Sequence, residues 1–133
     1  RKTVFEVMPF DNTMAIVTLS LDDIKAVIER MAGKYRGALV GGVSIVWDPN
    51  KPKGEQIIEI KDLDGNPLDD SKEYRIVTND YVFHSYGIPA FVNAPKDKVE
   101  MDKTLVRTVI EDYIRKHSPI DPKTDNRWKT LTK

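Results

Sequence analysis

The chain has few of the side chains that most often carry out chemistry. Its 133 residues include two histidines, His84 and His117, and no cysteine. Cysteine nucleophiles, thiolate zinc sites and disulfide scaffolds are therefore excluded. A dimetal centre that hydrolyses phosphoesters needs more nitrogen ligands than two histidines supply. We accordingly predict no catalytic residue, no metal ligand and no cofactor in this chain.

The remaining candidate groups favour structural roles. His84 precedes Ser85, but a catalytic serine and histidine must meet in space with a third group, so adjacency does not indicate a triad. His117 falls at a predicted helix end, where a positive charge compensates the helix dipole. The acidic pairs at residues 22–23 and 69–70 fall at a helix start and in a turn. Acid–base catalysis would need two carboxylates in one cleft, one of them with a raised pKa.

Two segments could instead contact a ligand. Residues 79–87, NDYVFHSYG, place three aromatic rings and a histidine together. Flat rings suit a planar ligand, but they are also ordinary core residues, and the sequence leaves both roles open. The pair Gly41-Gly42 lacks the lysine and serine or threonine of a phosphate loop. It indicates either a tight bend before a strand or a close backbone approach to a ligand.

The overall composition is that of one globular domain. The chain carries 21 basic and 21 acidic residues, so its formal net charge is zero, and 40% of its residues are hydrophobic. A neutral total argues against a nucleic-acid partner, which requires a basic surplus to neutralise phosphates. No apolar run approaches the ~20 residues of a membrane span.

The elements that must position these residues mix helices and strands without a regular repeat. An amphipathic helix is predicted from residue 21, with Ser20 and Asp23 as a capping box and Gly33 as its end. A second helix is predicted to start after Asp102 as its cap and to end before Pro119. Residues 79–89 are predicted to be irregular. The predicted strands are residues 4–8, 14–19, 43–47, 56–61 and 74–78. This pattern predicts an α+β fold, a mixed β-sheet packed with amphipathic helices.

Several segments follow one another in a recognisable order. Residues 4–13 read VFEVMPFDNT, residues 41–48 read GGVSIVWD, residues 64–69 read DGNPLD, and residues 74–81 read YRIVTNDY. The first resembles an "lPFgNt" signature and the last resembles "tYrvatndf". In this order, and with SPI and DNR near the end, they resemble the 5'-nucleotidase C-terminal domain family over nearly the whole chain.

The resemblance implies a function that the residues alone do not. Family members are exported or cell-surface hydrolases, in which an N-terminal metallophosphoesterase domain holds two metals and the C-terminal domain binds the nucleoside part of the substrate. Residues 1–133 would then be this recognition domain, without its N-terminal edge and without the metal domain of the parent chain. The implied role is nucleotide recognition in nucleotide catabolism, outside the cytoplasm, with divalent metals on the missing domain. The family's phosphate-binding arginines lie mostly upstream, and Arg1 is at the edge of that region.

The resemblance also implies binding residues. Tyr81 matches an aromatic residue that stacks on the base, and we place substrate binding at Tyr81, Asn12, Gly42, Val40 and Gly87. From its position in a Pro-Phe-Asp-Asn turn, we further predict that the Asn12 side chain holds the turn through bonds to backbone groups.

The sequence departs from the family pattern at two places in this site. The loop at residues 36–40, RGALV, lacks the family's second base-stacking ring, and residues 85–88, SYGI, lack its ribose-binding aspartate. These departures favour an alternative, a non-catalytic binding module on the same fold with a different ligand or a protein partner.

Overall fold

A computed structural model describes residues 2–132. These residues form two units. Unit 1 contains the described residues up to Thr18 together with Arg75–Lys123, and unit 2 contains Leu19–Tyr74 and the described residues from Thr124 onwards. The helices are α1 Lys2–Val7, α2 Leu21–Tyr35, α3 Asp80–Ser85, α4 Pro89–Val92 and α5 Val106–His117, with a 3-10 turn at Lys96–Lys98. The strands are β1 Thr13–Ser20, β2 Val43–Trp47, β3 Ile57–Asp62, β4 Glu73–Asn79, β5 Val99–Leu105 and β6 Trp128–Thr130.

Unit 1 is built on a three-stranded sheet in the order β4-β1-β5. Strands β1 and β5 are antiparallel, and their register shifts between Thr13 and Met14. Alternate residues of a strand point to opposite faces, and Ala15 and Val17 are completely buried on one face of β1. Helix α1 packs on α5. The sheet and α5 together hold the turn at residues 8–12 in place.

Unit 2 is built on a second three-stranded sheet in the order β3-β2-β6. The strands β2 and β3 form an antiparallel hairpin, and β6 pairs with β2 in parallel. The rings of Trp47 on β2 and Trp128 on β6 lie 5.8 Å apart. Helix α2 is joined to the hairpin because the Glu29 carboxylate accepts hydrogen bonds from the backbone N–H groups of Gly54 and Gln56. Its buried residues are Leu21, Ile24, Ile28 and Ala32.

The α+β class and most of the predicted strands are confirmed. Four of the five predicted strands are present with ends that differ by at most one residue. The N-cap of the predicted capping box is also confirmed, because the Ser20 hydroxyl accepts a hydrogen bond from the Asp23 N–H. The Asp23 carboxylate in turn accepts a hydrogen bond from this hydroxyl. Strand β5 was not predicted, since its VEMDKTL sequence carries the charged residues that are common on edge strands.

Three predictions about element boundaries are wrong. Residues 4–8 belong mostly to α1, and a short apolar run cannot distinguish a helix from a strand. Helix α2 continues through Gly33 and ends at Tyr35, and its C-cap residue Arg36 adopts the left-handed conformation with φ 57°. A glycine permits such an ending without enforcing it. Asp102 lies in β5, and its carboxylate accepts a hydrogen bond from the Thr104 N–H within the strand. An aspartate before an apolar run is typical of a helix cap, but here it does not begin a helix.

The aromatic segment is also more regular than predicted. Residues 80–85 form α3 and residues 89–92 form α4. The signal for α3 is Asn79, a residue type that caps helices. In the part of the chain that the structure describes, no helix combines the length and the hydrophobicity needed to cross a membrane.

Candidate functional site

The candidate site of unit 1 is built around the start of α3. Asn79 is the N-cap of this helix, and its side-chain oxygen accepts a hydrogen bond of 2.7 Å from the Val82 N–H. One carboxylate oxygen of Asp80 accepts two backbone N–H groups, from Tyr81 at 2.9 Å and from Thr13 at 3.1 Å. The second of these bonds joins α3 to the first residue of β1. Tyr81 is therefore held at a defined place beside the turn that precedes β1.

The turn at residues 8–12 is held through its backbone. The carbonyl oxygen of Asn12 accepts the Val106 N–H at 2.9 Å, and the next residue, Thr13, donates to Asp80. Within residues 2–132 the Asn12 side chain makes no hydrogen bond. The prediction that this side chain holds the turn is therefore wrong. Its half-buried amide keeps both donor and acceptor groups for another partner.

Arg107 supports the other side of the same turn. Its guanidinium donates to the Met8 carbonyl oxygen at 3.2 Å and to the Asp11 carboxylate at 2.8 Å. It also lies over the Phe5 ring, 4.8 Å from the ring centroid. Only 15% of the Arg107 side chain is exposed. Sequence analysis missed this residue, because its partners lie almost 100 residues away in the chain.

The three rings of the aromatic segment divide between the core and the surface. Phe83 packs on the buried Phe91, with centroids 5.3 Å apart. Tyr81 is 56% exposed, which excludes a core role for this ring. Tyr86 lies nearly perpendicular to Tyr81, at an interplanar angle of 78° and a centroid distance of 5.8 Å. Gly87 follows, exposed and with φ +57°.

The structure thus brings three of the predicted binding residues into unit 1, namely Asn12, Tyr81 and Gly87. The other two, Val40 and Gly42, belong to unit 2. The binding roles of the five residues stay predictions. Tyr86 was not singled out from the sequence, because no helix was predicted in this segment that would bring its ring to Tyr81.

In unit 2 the segment before β2 is held by Arg127. The Val40 carbonyl oxygen accepts a hydrogen bond of 3.0 Å from this guanidinium, which also binds the Asp125 carboxylate. Hydrogen bonding by Arg127 lowers the pKa of Asp125 to about 2. Gly42 is exposed and has φ +78°, a conformation that side chains rarely adopt, and no atom lies within 4 Å of a Cβ placed there. This conformation supports the tight bend before β2.

The other candidate groups lack the partners that catalysis would need. His84 contacts the Phe83 ring edge-on, and in the described residues it bonds to no serine or carboxylate. His117 stacks on Tyr113, and its Nδ1 lies 2.9 Å from the Tyr113 carbonyl oxygen. Hydrogen bonds from Ser71 lower the pKa of Asp69, the opposite of what a general acid requires. Among residues 2–132, no group of three or more His, Asp or Glu side chains could hold a metal ion.

Comparison with known families identifies the class of this domain. A family model described as "5'-nucleotidase, C-terminal domain" matches residues 1–93. The chain therefore belongs to the 5'-nucleotidase C-terminal domain family. The match covers α1 to α4 and so includes the Asn12 turn and both rings of the Tyr81–Tyr86 pair.

Two curated relatives align with almost the whole chain. The trifunctional nucleotide phosphoesterase protein YfkN of Bacillus subtilis (strain 168) is 26% identical over 161 residues, which covers 96% of this chain and 11% of that protein. A 5'-nucleotidase of Diplobatis ommata is 23% identical over 138 residues, which covers 94% of this chain and 24% of that protein. The chain thus spans between a tenth and a quarter of the length of these relatives.

Solved structures confirm the fold. A 5'-nucleotidase precursor from Thermus thermophilus matches with a TM-score of 0.84 and 22% identity over 98% of this chain and 27% of that chain. The NAD nucleotidase of Haemophilus influenzae matches with a TM-score of 0.80 and 17% identity over 98% of this chain and 26% of that chain. At these identities the likeness concerns the fold alone.

Proposed function

We propose that this domain recognises the nucleotide or nucleoside substrate of a 5'-nucleotidase-like phosphoester hydrolase that takes part in nucleotide catabolism. The single observation that carries the proposal is the Tyr81 ring, which is half exposed on a helix start that two side-chain caps hold in place. A solvent-exposed aromatic ring leaves a flat apolar face in water, which a stacking partner would cover. A stacked base is such a partner and contributes ~1–3 kcal/mol in single-strand binding proteins.

The Asn12 amide supplies a polar group for the same ligand. The Thr13–Asp80 hydrogen bond joins the residue after Asn12 to the residue before Tyr81. This bond holds the backbones that carry the Asn12 and Tyr81 side chains close to each other. A base presents both donors and acceptors along its edge, and an amide can pair with either. Stacking would supply affinity, while the amide would supply orientation.

The chemistry would reside on a separate domain. The described residues do not fit a dimetal centre, because they contain no cluster of ligands, and no catalytic step is assigned to them. The relatives named a phosphoesterase and a 5'-nucleotidase are four to nine times longer than the part that this chain matches. We therefore place the divalent metals on a metallophosphoesterase domain of the parent chain. We also propose that the parent protein is exported. This proposal is supported by the similar structure from T. thermophilus, which is that of a 5'-nucleotidase precursor.

A second candidate function is a non-catalytic binding module with another ligand or a protein partner. It is favoured by the loop before β2, where Leu39 is fully exposed and no aromatic ring is present. The absence of an acidic residue at positions 85–88 also favours it.

Equilibrium binding of adenosine and AMP to the 133-residue chain tests the proposal. Replacing Tyr81 with alanine should weaken the binding of both ligands roughly 5- to 140-fold, and Tyr81→Phe should change it little. Tyr113→Ala is the matched control, since Tyr113 is equally exposed on α5 and stacks on His117. The second candidate would be favoured by wild-type protein that binds neither ligand, or by equal losses in the Tyr81 and Tyr113 variants.

A further inference from the structure

The ring of Tyr86 is placed to complete the base site from within unit 1. It meets Tyr81 at a centroid distance of 5.8 Å and an interplanar angle of 78°. Both values lie in the range of a favourable edge-to-face pair. Perpendicular rings cannot hold a flat ligand between them as two parallel rings would. They form instead an L-shaped corner with one ring as each wall.

The backbone around Tyr86 keeps this corner in place. Tyr86 is the residue that ends α3, and its φ and ψ of −93° and −4° continue the right-handed turn. Gly87 then reverses the chain with φ +57°, and the next residue, Ile88, is almost completely buried. Within α3, the Phe83 ring packs on the buried Phe91. The segment is therefore anchored by the Phe83–Phe91 contact and by the buried Ile88, and Tyr81 is the more exposed ring of the tyrosine pair.

A planar ligand in this corner would contact both rings in different ways. A base that stacks on one ring presents its hydrogen-bearing edge to the face of the other. The edge of an aromatic ring is electropositive and the face is electronegative, so the second contact is attractive as well. A saturated group of similar volume has neither a flat face to stack on one ring nor an aromatic edge to present to the other. The corner therefore selects flat aromatic ligands.

We propose that Tyr86 is a specificity-determining residue of this site, the second ring that the loop at residues 36–40 does not provide. The proposal rests on the proposed function, because it assumes that Tyr81 binds a nucleobase. It goes further in stating that both aromatic contacts to the base come from one segment, residues 81–86. It also assigns a role to a residue within positions 85–88, the stretch that lacks the ribose-binding aspartate of the family pattern.

Adenosine binding to three variants tests the role of Tyr86. Tyr86→Leu keeps apolar bulk but removes the ring, and it should weaken adenosine binding roughly 3- to 10-fold. Tyr86→Phe keeps the ring and should restore binding to within about twofold, while Tyr81→Ala reports on the base site itself. Far-UV circular dichroism of each variant reports whether the fold is retained. As a direct measurement, magnetisation transfer between the adenosine base protons and the Tyr86 ring protons should be observed in the wild-type protein.

The outcomes separate the two proposals. If adenosine does not bind, or if Tyr81→Ala has no effect, the proposed function fails and the role of Tyr86 fails with it. If Tyr81→Ala weakens binding while Tyr86→Leu binds like the wild type, only the role of Tyr86 is refuted. Weaker binding by Tyr86→Phe to the same extent as by Tyr86→Leu would also refute it, because the phenol oxygen rather than the ring would then matter.

Discussion

Replacing Asp80 should most clearly show how the start of α3 is held against β1. Its carboxylate hydrogen bonds both the start of β1 and the start of α3. Replacing it with alanine leaves the Thr13 N–H and the Tyr81 N–H without this acceptor. The substitution should therefore lower stability and loosen the Tyr81 ring at the same time.

The magnitude follows from the surroundings of the two bonds. The Thr13 bond is partly buried and has a charged acceptor, so its loss should cost about 2 kcal/mol. The Tyr81 bond is exposed, and water can replace the carboxylate there at little cost. For 133 residues, about 2 kcal/mol corresponds to a decrease in Tm of roughly 7 °C. Asp80→Asn keeps an oxygen acceptor without the charge, and should cost about half as much.

Thermal unfolding followed by circular dichroism measures both variants. Hydrogen exchange of the Thr13 and Tyr81 amides should increase more in Asp80→Ala than in Asp80→Asn. The reasoning would be refuted if Asp80→Ala melted at the wild-type temperature. It would also be refuted if both variants lost the same stability, because the amide oxygen would then not replace the carboxylate oxygen.

Four further predictions follow from the structure. Ser20→Ala removes the capping box of α2 and should lower the free energy of unfolding by about 1 kcal/mol in denaturant titrations, whereas an unchanged midpoint would contradict the cap. Asn12→Ala should shift Tm by no more than about 2 °C yet weaken adenosine binding, and a large loss of stability would restore the structural role of its side chain. Arg127 lowers the pKa of Asp125 to about 2. The ion pair should therefore contribute its full stabilisation above about pH 4 and lose it as the pH falls towards 2. A carbon-detected NMR titration of the Asp125 carboxylate with a midpoint near pH 4 would contradict this. The chain by itself should release no phosphate from AMP with added manganese or zinc, and a turnover that responds to point mutation of this chain would refute that expectation.

The sequence predicted the elements that local patterns define. Alternating β-branched residues identified β1 and β2, and the Ser20–Asp23 spacing identified the start of α2. It failed where the decisive partner lies far away in the chain. Strand β5 forms because its backbone pairs with β1, in spite of the charges it carries, and Asp102 could not be distinguished from a helix cap without that pairing.

The candidate site was predicted in part for the same reason. A motif resemblance was sufficient to select Tyr81, because the residue type and its neighbours are local. The bond from Thr13 to Asp80 spans 67 positions and the bond from Arg107 to Asp11 spans 96, and no local pattern reports either of them. The Tyr86 ring is close in sequence, but only the turn of α3 shows that it meets the Tyr81 ring.

We propose above that unit 1 recognises a nucleobase at the start of α3. Titration of the isotopically labelled chain with adenosine, followed by backbone amide NMR, tests it most directly. We expect the largest chemical-shift changes at residues 79–87 and at Asn12 and Thr13, and we expect Tyr81→Ala to require a higher adenosine concentration for the same changes. Largest changes confined to unit 2, or a spectrum that saturating adenosine leaves unchanged, would contradict it.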